Sequence, residues 1–200
     1  IARRQRQMCI RDSPQLHRDA CGRHCDCGDG CSVSRRWTQG KSVSLAAQLV
    51  AALRDRGETV AFCESLTAGL AAATVASVPG ASTVLRGGLV TYATEVKAHF
   101  LGTSVQHLEK QGVVSAETAI EMARAACEET GADWGISLTG VAGPDLQEGK
   151  PAGTVFVGMC RKGGAKRGVL FELENAGRNV VREAAVDAAL SLLLSTIQEK

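Results

Sequence analysis

Downstream of residue 41 the apolar positions fall into alternating helical and extended periods. Leu45, Leu49, Ala52 and Leu53 mark one face of a helix that Ser44 can cap and Gly57 can end. Residues 59–63 form a short apolar run, a strand, that passes through Glu64-Ser65 into a predicted helix over 66–77, stopped by Pro79-Gly80. Residues 84–92 read as the next strand, in which the Gly87-Gly88 pair predicts a bulge or a close backbone contact. Thr94 can cap a short helix through Leu101, closed by Gly102, and Ser115-Ala116-Glu117 open a longer one to Glu129, ended by Thr130-Gly131. A buried strand over 134–138, a loop over 139–151, and a hairpin of 153–160 with 167–174 around Gly163-Gly164 follow. The last helix runs over 178–198.

Strands alternate with helices and then two adjacent strands pair before the final helix. That order predicts an α/β fold, a three-layer α/β/α sandwich with a mixed, mostly parallel sheet that has an antiparallel member.

Residues 1–41 break the pattern. They are rich in Arg, Cys, Asp and Gly, lack either periodicity, and begin at Ile1 rather than Met, so they are expected to be a disordered or foreign leader before one domain over 42–200. Cys21, Cys25, Cys27 and Cys31, with His24 nearby, are the alternative: a metal site. Their spacing is too compressed for the usual paired zinc hooks, and the expectation is no metal. Cys63, Cys127 and Cys160 lie in apolar contexts and read as buried thiols of a reducing compartment, the cytoplasm.

Composition narrows the classes further. Of 200 residues, 44% are hydrophobic and 22% charged, a globular balance, and a net charge of +2 calls for neither nucleic acid nor an anionic membrane as partner. No apolar run approaches the roughly 18 residues of a spanning helix.

Four strings can carry chemistry. In Ala61-Phe62-Cys63-Glu64-Ser65-Leu66-Thr67-Ala68-Gly69 a strand turns directly into a helix, so helix-end N–H groups could hold an oxyanion formed by attack of a hydroxyl placed there. Simple capping of the helix by Ser65 or Thr67 explains the same string. No histidine lies in a catalytic pattern and no G-x-S-x-G elbow surrounds Ser65, which speaks against a Ser-His-Asp triad. In Thr91-Tyr92-Ala93-Thr94-Glu95-Val96-Lys97 the only tyrosine stands at a strand end, with a lysine five residues on. A desolvated lysine can serve as a base, and Tyr92 could relay a proton or orient it; a solvated helix lysine is the plain alternative. Thr139-Gly140-Val141-Ala142-Gly143-Pro144, followed by Lys150-Pro151-Ala152-Gly153-Thr154, brings glycines to a strand end, as a phosphate or amide pocket does and as an ordinary turn does. Arg178 and Arg182 at the head of the last helix oppose its dipole, which fits anion binding or surface solvation.

Taken in order, Glu64–Gly69, Gly87–Tyr92 with Lys97, Gly112-Val113-Val114-Ser115, and Thr139–Pro144 with Lys150–Thr154 resemble the C-terminal domain of CinA, a family of nicotinamide-mononucleotide amidohydrolases, over nearly the whole of 45–200. The resemblance implies a five-stranded sheet and deamidation of nicotinamide mononucleotide (NMN) to nicotinate mononucleotide and ammonia in pyridine-nucleotide recycling, without metal or cofactor. It implies a stand-alone form, a small-molecule nucleotide as partner, and a homo-oligomer, a dimer. Carried over by motif, Ser65 is the nucleophile and Tyr92 with Lys97 the activating pair. Glu64, Thr67, Thr139, Gly140, Ala142 and Gly143 are expected against the substrate, and Arg178 near its phosphate. Where the family often reads Gly-Asp-Arg, here Gly177 is followed directly by Arg178. The alternatives are a non-catalytic CinA-like module, binding nucleotides or proteins and linked to competence, and a metal-binding regulator built on the Cys-rich leader.

Overall fold

The structure, a computed structural model, describes residues 44–199; the expectations for residues 1–41 lie outside them. Ser44 caps α1 (Leu45–Arg56) by accepting from the Ala47 N–H, and Gly57 ends it in the left-handed conformation. β1 (Val60–Glu64) follows, then α2 (Leu70–Ala76) and, after a single 3-10 turn, β2 (Leu85–Val90). α3 (Thr94–Leu101), α4 (Val105–Gln111) and α5 (Ala116–Thr130) come next, then β3 (Trp134–Gly140), the hairpin β4 (Thr154–Arg161) and β5 (Lys166–Glu172), and α6 (Arg178–Gln198).

The sheet has five strands in the order β2-β1-β3-β4-β5. β1 pairs parallel with β2 and β3, and β4 runs antiparallel between β3 and β5, so the expected α/β/α sandwich with a mixed, mostly parallel sheet is what forms. Side-chain alternation sorts the layers. Val60 and Phe62 of β1 with Trp134, Ile136 and Leu138 of β3 join Leu49, Leu53, Leu190 and Leu193 on the α1/α6 face. Ala61 and Cys63 join Ala98, Leu101, Leu108 and Met122 on the α3/α4/α5 face. On that second face a Cβ at Gly135 or Gly158 would collide with the α5 backbone at Ala123 or Ala119, so these glycines let α5 lie directly on the sheet.

Three local expectations change, and one holds in both its forms. The second helix starts at Leu70, not 66, because residues 65–69 form a turn with Ala68 (φ 52) and Gly69 (φ 94) left-handed. Thr94 is the first helical residue rather than the cap; Ala93 holds the cap position with no side-chain bond. α4 is an element the sequence pattern does not predict; Ser104 caps it through the His107 N–H, and its seven residues bury only Leu108, too little to show a period. In β2, Val60 pairs with Leu85 but Ala61 with Gly87, which leaves Arg86 as the bulged residue. Gly88 meets the Ala72 side chain, where a Cβ would stand 2.9 Å away, so both readings of the glycine pair hold.

Candidate active site

The carboxyl ends of β1 and β3 lie side by side, the usual place for a ligand crevice in an open α/β sheet. A cavity of about 370 Å³ opens there. Ser65 and Leu66 line it from the β1–α2 turn, Tyr92, Thr94 and Lys97 from the β2–α3 corner, Gly140 to Gly143 from the end of β3, and Arg178 from the start of α6.

Ser65 is half-buried, its N–H bonded to the Leu138 carbonyl at 2.9 Å, and its hydroxyl has no hydrogen-bond partner among the described residues. Glu64 does not face the cavity. Its fully buried carboxylate folds forward to accept from the N–H groups of Gly69 (3.0 Å), Ala71 (3.0 Å) and Ala72 (2.9 Å). This corrects two expectations: Glu64 is a helix cap rather than a substrate contact, and the first N–H groups of α2 are taken. The donors in the turn left without a partner among the described residues are the N–H groups of Leu66 and Thr67. Arg182 straps the same turn from α6, donating to the carbonyls of Leu66 (3.1 Å) and Thr67 (2.8 Å). Thr67 is fully buried, lies outside the cavity lining, and its hydroxyl has no partner among the described residues.

Lys97 is 1% exposed. Its Nζ makes two long bonds, to Thr139 Oγ1 at 3.4 Å and to the Val113 carbonyl at 3.5 Å, and no carboxylate among the described residues pairs with it. Burial pulls its pKa down to about 8, against smaller upward pulls from Cys63 and Glu148. The Cys63 thiol is itself pushed up to about 11 by burial, so at neutral pH it is uncharged. Thr139, also fully buried, gives its proton to the Val113 carbonyl at 3.0 Å and turns a lone pair to Lys97. It supports the lysine rather than lining the cavity.

Tyr92 is 57% exposed, and its hydroxyl accepts from Arg178 Nη2 at 2.7 Å. Arg178 Nη1 donates to the Gly143 carbonyl at 2.7 Å, so one guanidinium bridges two walls of the cavity mouth. Ser65, Tyr92 and Lys97 share the cavity without hydrogen-bonding one another.

The loop over 141–153 folds back as a small hairpin closed by Gln147 and Lys150, with Glu148 (φ 51) and Gly149 (φ 72) left-handed at its tip. The Glu148 carboxylate reaches the corner before α5, accepting from Val113 N–H at 2.7 Å and Val114 N–H at 3.0 Å. Gly140 is required where β3 ends: a Cβ would stand 2.8 Å from the Val155 Cα.

Of the residues singled out from sequence, Ser65, Tyr92, Lys97, Gly140, Ala142, Gly143 and Arg178 line one cavity, while Glu64, Thr67 and Thr139 stand behind it. Sequence reasoning assigns no role to Glu148 or the Val113 peptide, since an acid in a polar loop carries no local signal. Among the described residues no group of three or more His, Cys, Asp or Glu could hold a metal, and no helix is long and apolar enough to cross a membrane. Cys63, Cys127 and Cys160 are buried free thiols.

Comparison with known proteins gives one consistent match. The model of the family described as the CinA C-terminal domain covers residues 42–197. A relative from Limosilactobacillus fermentum, named provisionally as a competence-damage inducible protein, is 44% identical over 160 residues, which is 80% of this chain and 39% of the relative. One from Streptococcus pneumoniae with the same name is 46% identical over 154 residues, 77% of this chain and 37% of that protein. The chain thus spans less than two fifths of the length of these curated relatives. Among solved structures, the competence/damage inducible protein CihA from Agrobacterium tumefaciens superposes with a TM-score of 0.73 at 30% identity, covering 80% of this chain and 98% of that one. A CinA superfamily protein from Klebsiella pneumoniae gives 0.74 at 27% identity, covering 78% and 97%.

Proposed function

The chain belongs to the CinA C-terminal domain family, and on that premise we propose that its cavity hydrolyses the carboxamide of nicotinamide mononucleotide, releasing nicotinate mononucleotide and ammonia. The observation that carries this reading is Lys97: a lysine buried without a carboxylate partner among the described residues, lining the same cavity as a serine whose hydroxyl is uncommitted among them.

The chemistry follows from proton counting. A neutral amine has two protons and one lone pair. Thr139 Oγ1 and the Val113 carbonyl take the two protons, which leaves the lone pair as the unengaged position of the nitrogen. With a pKa of about 8, roughly a tenth of Lys97 is neutral at pH 7. It takes the Ser65 proton as Oγ bonds to the carboxamide carbon, and the N–H of Leu66, which lines the cavity, is the donor free to hold the oxyanion. Lys97 then returns the proton to the departing nitrogen, the C–N bond breaks, and ammonia leaves. Water attacks the Ser65 ester, losing a proton to Lys97, which passes it to Ser65 Oγ as the C–Oγ bond breaks; the freed acid ionises to the carboxylate. Tyr92 hydrogen-bonds neither Ser65 nor Lys97; its hydroxyl accepts from Arg178 and keeps its own proton to donate. Arg178, at the mouth, is the cation placed to draw the substrate phosphate. No metal or cofactor enters the reading, and a homodimer is the assembly it carries.

Ammonia release from the mononucleotide by the purified chain tests it, with Ser65→Ala and Lys97→Met in parallel. Loss of at least about a hundredfold in both variants supports the Ser-Lys route. A second reading, a binding module without catalysis, draws on one observation: Ser65, Tyr92 and Lys97 form no hydrogen-bonded chain. Binding of the mononucleotide by calorimetry with no ammonia release would favour it.

A further inference from the structure

Lys97 does not touch the loop over 141–153 by any hydrogen bond, yet that loop reaches the groups that hold it. The Val113–Val114 peptide unit is the link. Its carbonyl accepts from both Lys97 Nζ (3.5 Å) and Thr139 Oγ1 (3.0 Å), while its N–H, that of Val114, donates to Glu148 at 3.0 Å. The preceding N–H, of Val113, donates to the other carboxylate oxygen at 2.7 Å, so Glu148 grips the corner with both oxygens. N–H groups held by a carboxylate make strong, directional bonds, and the one from Val114 polarises the peptide whose carbonyl faces the lysine.

Resting on the amidase reading above, we infer that Glu148 is a positioning residue for Lys97, holding the Val113–Val114 corner so that the Val113 carbonyl and the Thr139 hydroxyl keep the amine in place, and that it ties this support to the loop lining the substrate cavity. Val141, Ala142, Gly143, Asp145, Leu146 and Gln147 of that loop line the cavity, and Glu148 is the next residue along. Seating of the cavity wall and seating of the lysine therefore share one contact. The backbone at Glu148 is left-handed, where glycine fits without strain, and the residue present is one whose side chain spans from the hairpin tip to the corner.

Charge supports the geometry. The groups acting on Lys97 are Cys63 from β1 beneath it and Glu148 from the loop, with Tyr92, Asp145 and Arg178 lining the same cavity. The Cys63 thiol is uncharged below about pH 10, since burial pushes it up to about 11. Glu148 is thus the anion that favours the protonated amine, moderated by Lys150 at 3.7 Å.

The test follows Lys97 itself rather than turnover alone. The full chain is labelled with 13C at the lysine ε-carbon, the Lys97 resonance is identified by its loss in Lys97→Met, and its titration is followed in wild type, Glu148→Gln and Glu148→Ala. In Glu148→Gln, which keeps one acceptor oxygen and loses the charge, the Lys97 midpoint falls by roughly half a unit to one unit. In Glu148→Ala, exchange of the Val113 and Val114 amides also speeds up at least about tenfold, and kcat falls while KM changes less. A merely structural acid would change amide exchange and leave the titration where it was. An unmoved Lys97 midpoint in Glu148→Gln overturns the inference whatever the activity, and this variant answers alone if Glu148→Ala does not fold. If the midpoint moves but wild type hydrolyses no mononucleotide, Glu148 keeps its positioning role and the amidase reading is what falls.

Discussion

The Nζ of Lys97 lies 3.4 Å from Thr139 Oγ1 in the interior, and Thr139 directs its own proton away, to the Val113 carbonyl at 3.0 Å. The lysine therefore meets two acceptors and, among the described residues, no anion that pairs with it, the surroundings of an amine that spends part of its time neutral. Such an arrangement works against stability at neutral pH.

That conflict is measurable. The folded-state pKa of about 8 is below the ordinary value of 10.5, so between these the unfolded chain binds more protons and stability rises with pH. Below pH 8 the burden is full and corresponds to about 3 kcal/mol. Lys97→Met should be more stable than wild type at pH 7 by up to about that amount, and the gap should close as pH climbs from about 8 to 10.5. Urea unfolding across that range checks it; a gap independent of pH would mean that Lys97 is not desolvated.

Glu64 gives the opposite expectation. Its carboxylate takes three N–H groups at the start of α2, and removing it strands them in a buried turn. Glu64→Ala should destabilise by about 2–4 kcal/mol, with any activity that remains showing a near-normal KM. A large rise in KM at unchanged thermal stability would return Glu64 to the substrate.

Thr67 is a buried hydroxyl with no partner among the described residues. Thr67→Val keeps its shape and removes the unmet group, so stability should hold or rise by about 1 kcal/mol with kcat unchanged. Loss of activity without loss of stability would place the hydroxyl in the chemistry.

Arg178 links Tyr92 and the Gly143 carbonyl and has no carboxylate partner among the described residues. Arg178→Ala should raise KM for the mononucleotide at least about tenfold, and should change KM for the free nucleoside, which lacks the phosphate, far less. Equal effects on both substrates would assign Arg178 to the mouth's architecture alone.

Two helices with serine caps and glycine ends are legible in the amino-acid sequence: Ser44 and Gly57 bound α1, and Ser115 and Gly131 bound α5, at or within a residue of where their types suggest, while α4, though capped by Ser104, is too short to be read. The start of α2 is not, because Ser65 and Thr67 look like caps while the acid that caps the helix, Glu64, comes before them and folds forward. The same ambiguity puts Glu64 and Thr67 against substrate when only the sequence is read. Residue type and spacing leave Ser65, Lys97 and Arg178 open to plain readings as a helix cap, a solvated helix lysine and a surface arginine; the motif resemblance singles out Ser65 and Lys97, and charge against the helix dipole singles out Arg178. Glu148 carries neither signal. Its contact with Val113 spans 35 residues, and no spacing along the chain records it.

The most direct test of the account is ammonia release from nicotinamide mononucleotide by wild type and Ser65→Ala, followed from about pH 6 to about pH 9.5. The account predicts that kcat/KM for wild type rises tenfold per pH unit and levels off near pH 8, where Lys97 loses its proton, and that Ser65→Ala falls at least about a hundredfold throughout. Undiminished release by Ser65→Ala, or a rate that does not change across that range, would contradict it.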